Sequence, residues 1–150
     1  ELNVRGFYDI VAKQSVGEQQ IYLYDIKTCG GWSWKMKFGR NKKINTSIHY
    51  ELQLGTYGLG ILQNPKIEKI NLFLVWYNKN TSMMREQIVD SSYIKEAKDY
   101  WEDVNIILDE YGEDFEKSDE LEPSISYGTP FEDWECKYCS YSNICPTPIK

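Results

Sequence analysis

The segment KIEKINLFLVWYNK, residues 66–79, constrains the fold more than any other, because it is the most apolar stretch of the chain. Its run of Leu, Phe, Val, Trp and Tyr favours a β-strand, and a strand this apolar belongs at the centre of a sheet. MMREQIVD (83–90) reads as its antiparallel neighbour. Upstream, NVRGFYDIVAK (3–13) and QIYLYDIKT (20–28) read as two strands joined by the turn-like QSVGEQ, an antiparallel hairpin.

Two segments carry a helical pattern. TSIHYELQLGTYGLGILQ (46–63) has Thr46 or Ser47 as a cap, and Asn64-Pro65 closes it. Its glycines weaken the helix but permit close packing. In 91–112, Tyr93, Ala97, Tyr100, Trp101, Val104, Ile107 and Leu108 follow helical spacing on one face. CGGWSWKMKFGRNKK (29–43), with two tryptophans and five basic residues, reads as a loop. The order β-β-α-β-β-α predicts an α/β domain with a mixed central sheet flanked by helices. A core over 1–111, an acidic linker over 112–130 and a cysteine-rich tail over 131–150 make one domain. The chain opens almost directly in a strand pattern without an initiator Met, so a further N-terminal segment is expected.

The net charge of −6 conceals an asymmetry. Residues 1–80 carry a balance of +5 and residues 81–150 one of −11, so the basic half can face a polyanion while the acidic half faces away. No apolar run approaches the length of a membrane span and no signal peptide opens the chain. Of four cysteines, Cys136, Cys139 and Cys145 form C-x2-C-x5-C near the C-terminus. A disulfide framework spreads its cysteines through a small chain, whereas clustering fits ligation of zinc or of an iron–sulfur cluster in a reducing compartment. A cytoplasmic location follows. Cys29 reads as a small core or loop residue.

The chemistry concentrates on the hairpin. In a strand, residues two apart share a face, so Asp25 and Lys27 lie side by side and Ile26 turns away. Alone, the pair reads as a surface ion pair. Asp9 changes that reading, because hairpin pairing brings it to the same end of the sheet. Two carboxylates there, with the Ile26 backbone carbonyl, can hold Mg²⁺ or Mn²⁺. Lys27 can then orient a water or stabilise charge on phosphate. On the following helix, His49, Gln53 and Tyr57 recur every four residues on one face. Gln53 and Tyr57 can reach a nucleic-acid backbone; His49 is either a DNA contact or a surface packing residue. Trp32, Trp34, Lys35, Lys37, Arg40, Lys42 and Lys43 combine cations with stacking surfaces, which suits single-stranded or frayed DNA. Their bland alternative is a solvated connection with its aromatics tucked onto the core.

Asp9 in GFYD, DIK at 25–27 and QLGTY at 53–57 resemble the ordered motifs of the PD-(D/E)XK nuclease superfamily in its RecB-like branch: G-x-x-D, (D/E)-x-K and Q-x-x-x-Y. The tail CKYCSYSNIC resembles the cysteine cluster of iron–sulfur nucleases in that branch, including CRISPR-associated RecB-family exonucleases and AddB-type nucleases. The resemblance implies a restriction-endonuclease-like core. Asp9 and Asp25 correspond to the metal-binding acids, Lys27 to the catalytic lysine, and Gln53 and Tyr57 to a DNA-binding motif. Cys136, Cys139 and Cys145 correspond to three of four ligands of a 4Fe–4S cluster. The family's fourth cysteine and its metal-binding histidine lie upstream of the G-x-x-D strand, where this sequence shows only Glu1 and Leu2.

These readings predict a Mg²⁺- or Mn²⁺-dependent deoxyribonuclease, exonucleolytic rather than endonucleolytic, acting on DNA ends or single strands. A helicase, recombination or CRISPR-adaptation partner is compatible with it, in a bacterial, archaeal or phage-infected cell. The alternatives are a non-catalytic DNA-binding or assembly subunit of the same fold, and a zinc-stabilised interaction module.

Overall fold

The structure, a computed structural model, describes residues 2, 4–13, 15, 17, 19–40, 48–111 and 140. The element order is β1 (Ile10–Ala12), β2 (Gln20–Cys29), α1 (Gly31–Phe38), α2 (Ile48–Ile61), β3 (Lys69–Asn78), β4 (Met84–Val89) and α3 (Ser92–Tyr111). Residues 1–103 form one compact unit, and a second begins at Val104. The proposed caps Thr46 and Ser47, the acidic linker and the tail cysteines Cys136, Cys139 and Cys145 lie outside the described residues, as do Lys42 and Lys43.

The sheet is mixed and four-stranded, in the order β1-β2-β3-β4. β1 and β2 form the expected antiparallel hairpin, with Ile10 opposite Tyr24. β2 and β3 run parallel over their full length, from Gln20 opposite Lys69 to Cys29 opposite Asn78. β4 returns antiparallel, with Trp76 opposite Arg85. The apolar segment is therefore central, and it alternates buried and partly exposed residues as a strand must. Joining parallel strands needs a long crossover, and α1 and α2 supply it.

One sheet face holds the core: Ile21, Leu23, Ile70, Leu72, Leu74 and Trp76 meet Trp34 and Leu54 of the helices. At about 25 cal/mol per Å² of apolar area, burial of each large side chain contributes roughly 1.5–3 kcal/mol. The glycines of α2 have a packing role. A Cβ on Gly55 would come within 2.1 Å of the Tyr93 carbonyl oxygen, and one on Gly58 within 3.1 Å of the Ile94 side chain. These glycines let the start of α3 lie directly on α2.

α1 is a correction to the sequence reading, which has a loop over 29–43. Trp34 and Phe38, four residues apart, fall on one helical face. Their rings meet 4.7 Å apart and Phe38 stands edge-on to Trp76. Burying them outweighs the weak helix propensity of a glycine-led segment. The helix ends at Gly39, whose N–H donates to the Lys35 carbonyl at 2.8 Å.

Candidate active site

β2 and α2 supply the polar constellation. Asp25 points to the helix-covered face and is only 4% exposed, whereas Ile26 on the opposite face is 42% exposed. Lys27 Nζ lies 2.6 Å from Asp25 Oδ2, and these side chains are 16% and 6% exposed. The bland reading, a solvated surface pair, fails on that burial. Charges taken out of water cost several kcal/mol each unless well compensated, so a pair this enclosed needs further partners.

Those partners come from α2. Lys27 Nζ donates to Gln53 Oε1 at 2.6 Å, and Gln53 Nε2 donates to the Tyr57 hydroxyl at 2.7 Å. Helical spacing of four residues places Gln53 and Tyr57 in line. The Tyr57 oxygen accepts from Gln53, so its own proton can be offered to another acceptor. Tyr50, which the sequence reading overlooked, adds a ring whose centroid is 4.7 Å from Lys27 Nζ, a cation–π contact. Its position three residues before Gln53 was the available signal.

Asp9 completes the group from the other side of the hairpin. One residue before β1, it would face Asp25 if the register continued. Its carboxylate instead accepts the Ile26 N–H at 2.6 Å. The N–H and C=O of one strand residue leave on the same edge, so the Ile26 carbonyl also points to the side where Asp9 lies. The glycine of the same motif has a steric reason. A Cβ on Gly6 would come within 2.5 Å of Tyr57 Cε1, so only glycine lets the segment carrying Asp9 cross the tyrosine ring.

Burial pushes the Asp25 carboxyl up from its ordinary value, the Lys27 ammonium opposes the rise, and the nearby Asp9 carboxylate adds to it. The Lys27 contact is off the hydrogen-bonding direction, which leaves the buried Asp25 Oδ2 without an aligned donor. The Tyr57 phenol is likewise raised, first by burial, with Asp25 and Asp9 adding to it and the Gln53 hydrogen bond opposing it.

A buried carboxylate oxygen held by an ionic contact but by no hydrogen bond, a second carboxylate beside it and a main-chain carbonyl on the same edge fit a hard divalent cation. Such an ion takes one or two carboxylates and fills its other positions with water and phosphate oxygens. Among the described residues no group of three or more His, Cys, Asp or Glu could hold a metal. A centre here would therefore rest on these few donors.

The expected DNA-facing cluster divides. Trp32 is 74% exposed, and Lys35 and Arg40 are exposed. Trp34 is buried at 9% in the core, which corrects its reading as a stacking surface. Lys37 is also corrected: it turns inward, with Nζ 4.3 Å from the Trp76 ring centroid. Burial lowers its pKa, and the Glu51 carboxylate opposes that shift. Both residues turn inward because a helix, unlike a loop, gives its segment a core side. The His49 ring lies 3.9 Å from that of Tyr50, one residue removed from the lysine cluster. Cys29 is buried in the core cluster.

A second acid went unnoticed in the sequence. Glu51 is 5% exposed and accepts from Gln87 Nε2 at 2.7 Å, while Gln87 Oε1 accepts from Trp76 Nε1 at 3.0 Å. Nothing local in IHYELQ marks Glu51 as buried, since its partner arrives from β4.

Comparison with known proteins bears on this geometry. A family model described as the PD-(D/E)XK nuclease superfamily matches residues 1–146. No curated protein matches the sequence. The crystal structure of SSO0001 matches with a TM-score of 0.39 at 22% identity, over 84% of this chain and 45% of that one. The chain thus spans less than half the length of that protein. No helix among the described residues is long and apolar enough to cross a membrane.

Proposed function

As the chain belongs to the PD-(D/E)XK nuclease superfamily, we propose that it hydrolyses phosphodiester bonds of DNA with Mg²⁺ or Mn²⁺. The observation that carries the reading is the enclosed ammonium of Lys27, 2.6 Å from both Asp25 Oδ2 and Gln53 Oε1, beside a carboxylate oxygen with no aligned donor. Asp9, Asp25 and the Ile26 carbonyl would hold the cation. When bound, it activates water and stabilises charge on the scissile phosphate.

The remaining steps belong to the chain itself. Two carboxylates at one edge repel a phosphodiester until their charge is neutralised, which makes DNA binding at this edge dependent on the cation. Lys27 has three N–H donors; one is directed at Gln53 while the ammonium keeps an ionic contact with Asp25, which leaves donor capacity for a phosphate oxygen or the attacking water. Gln53 fixes the ammonium in place, and Tyr50 supports it from one side. The Tyr57 hydroxyl, oriented by Gln53, offers its proton to the DNA backbone. Trp32, Lys35 and Arg40, together with Lys42 and Lys43, would draw the strand in by charge and stacking.

The motif order supports the RecB-like branch and exonucleolytic action on DNA ends. The same resemblance supports a 4Fe–4S cluster on Cys136, Cys139 and Cys145, with zinc as the alternative metal. Association with a helicase, recombination or CRISPR-adaptation protein and a cytoplasmic location belong to this reading.

Labelled DNA incubated with purified protein and Mg²⁺ or Mn²⁺ tests it. Cleavage should appear with the ion, vanish with chelator and vanish in Asp25→Asn. Equal cleavage by pure, folded Asp25→Asn protein would remove this site from the chemistry.

A further inference from the structure

The segment before β1, the last turns of α2 and the middle of α3 enclose a cleft of about 840 Å³. That volume falls within the usual range of small-molecule sites, roughly 300–1,000 Å³. Tyr57 belongs both to the cleft and to the constellation around Lys27: its hydroxyl accepts from Gln53, while the residue lines the cleft. Tyr8 and Trp101 add aromatic surfaces to the lining, and Leu59 an aliphatic one. Tyr8 is itself 51% exposed. Trp101 is anchored by its Nε1, which donates to Thr56 Oγ1 at 2.9 Å. Its indole is thus held in place.

We propose that this cleft takes an unstacked base of a single-stranded polynucleotide whose phosphate lies at Lys27. The proposal rests on the nuclease reading and narrows its substrate to unpaired strands and frayed ends. Three features favour a base over other occupants. Aromatic and aliphatic walls suit the π-face of any base. Gln63 and Asn64 bring amides to the lining, and amides pair with base edges. The charged side chains there, Lys98 and Glu102, are paired with each other at 2.6 Å, so the cleft offers no net charge to a phosphate. A base held in intact duplex remains stacked and cannot enter.

Gly60 provides the test. It lines the cleft, and a Cβ there would meet nothing within 4 Å. Gly60→Leu therefore has room at its Cβ, extends a branched side chain into the cleft and improves helix propensity. Wild type, Gly60→Leu and Tyr8→Ala would be titrated with labelled oligothymidylate and with a blunt hairpin duplex, and melting temperature and cleavage measured alongside. Single-strand affinity should fall about tenfold in Gly60→Leu, and by a smaller factor in Tyr8→Ala, with duplex affinity unchanged and melting temperature not lowered. Unaltered single-strand affinity in a folded Gly60→Leu protein overturns the base site. So does a fall in melting temperature with unchanged DNA affinity, which would assign the cleft to a peptide segment. If Gly60→Leu does not fold, unchanged affinity in Tyr8→Ala overturns it. Failure of wild type to cleave under any metal condition sinks the nuclease reading, and the binding arm still decides the cleft.

Discussion

Lys27 and Lys37 both tuck an ammonium beneath aromatic rings on the helix-covered face, yet their surroundings differ in one respect. Lys27 has Asp25, whose Oδ2 lacks an aligned donor, and a second carboxylate stands nearby on Asp9. Lys37 is matched with Glu51, which Gln87 hydrogen-bonds in turn, while Gln87 also accepts from Trp76. A closed polar network of the second kind specifies packing. An open one retains binding capacity at the edge of the sheet. Burial of a lysine–acid pair therefore does not by itself separate the two sites; on the proposed reading the difference lies in the carboxylate oxygen that no hydrogen bond occupies.

The largest expected effect tests the open network. Asp25→Asn and Lys27→Met should each lower metal-dependent cleavage by about a hundredfold or more, the scale of losing one preorganised electrostatic group. Lys37→Met should leave cleavage per folded molecule unchanged. A Lys37 variant that cleaves as poorly as the Lys27 variant would erase the distinction. The closed network should show itself in stability. Glu51→Ala strands the partly buried Gln87 amide and removes the charge facing Lys37, at a cost of about 1 kcal/mol, read as a shift in urea midpoint at unchanged slope.

A smaller effect concerns how the two motifs touch. Gly6→Ala drives a methyl into the Tyr57 ring, which must then move. Cleavage should fall about tenfold, and adding Gly6→Ala to Tyr57→Phe should cost less than the two separate losses combined, because both act on one contact. Full additivity would show that Gly6 acts elsewhere.

The smallest effect lies away from both lysines, at the start of α3. Asp90 Oδ1 accepts the Ser92 N–H at 2.8 Å, and this bond holds its carboxyl below the ordinary value of 3.8. A depressed pKa stabilises the fold above the unfolded value and loses that contribution as pH falls through the folded one. The melting temperature should therefore decline slightly more steeply below pH 4 in wild type than in Asp90→Asn. Identical slopes would mean that this cap contributes nothing.

The sequence by itself determined the mixed sheet, its central strand and the grouping of Asp9, Asp25, Lys27, Gln53 and Tyr57. Local periods pair Asp25 with Lys27 along β2 and Gln53 with Tyr57 along α2, and a hairpin brings Asp9 to β2; joining the two groups into one site came from their resemblance to an ordered motif set. Trp34 and Lys37 were misread because a basic, glycine-led segment has no local signal strong enough to declare a helix. Only Trp76, arriving from β3 some forty residues later, makes it worth burying one face. Glu51 needed Gln87 from β4, Gly6 needed the ring of Tyr57, and the cleft needed α3. Periodicity tells a residue which way to face, but its partner there, and whether any atom is left unsatisfied, depends on contacts between distant segments that only tertiary packing brings together.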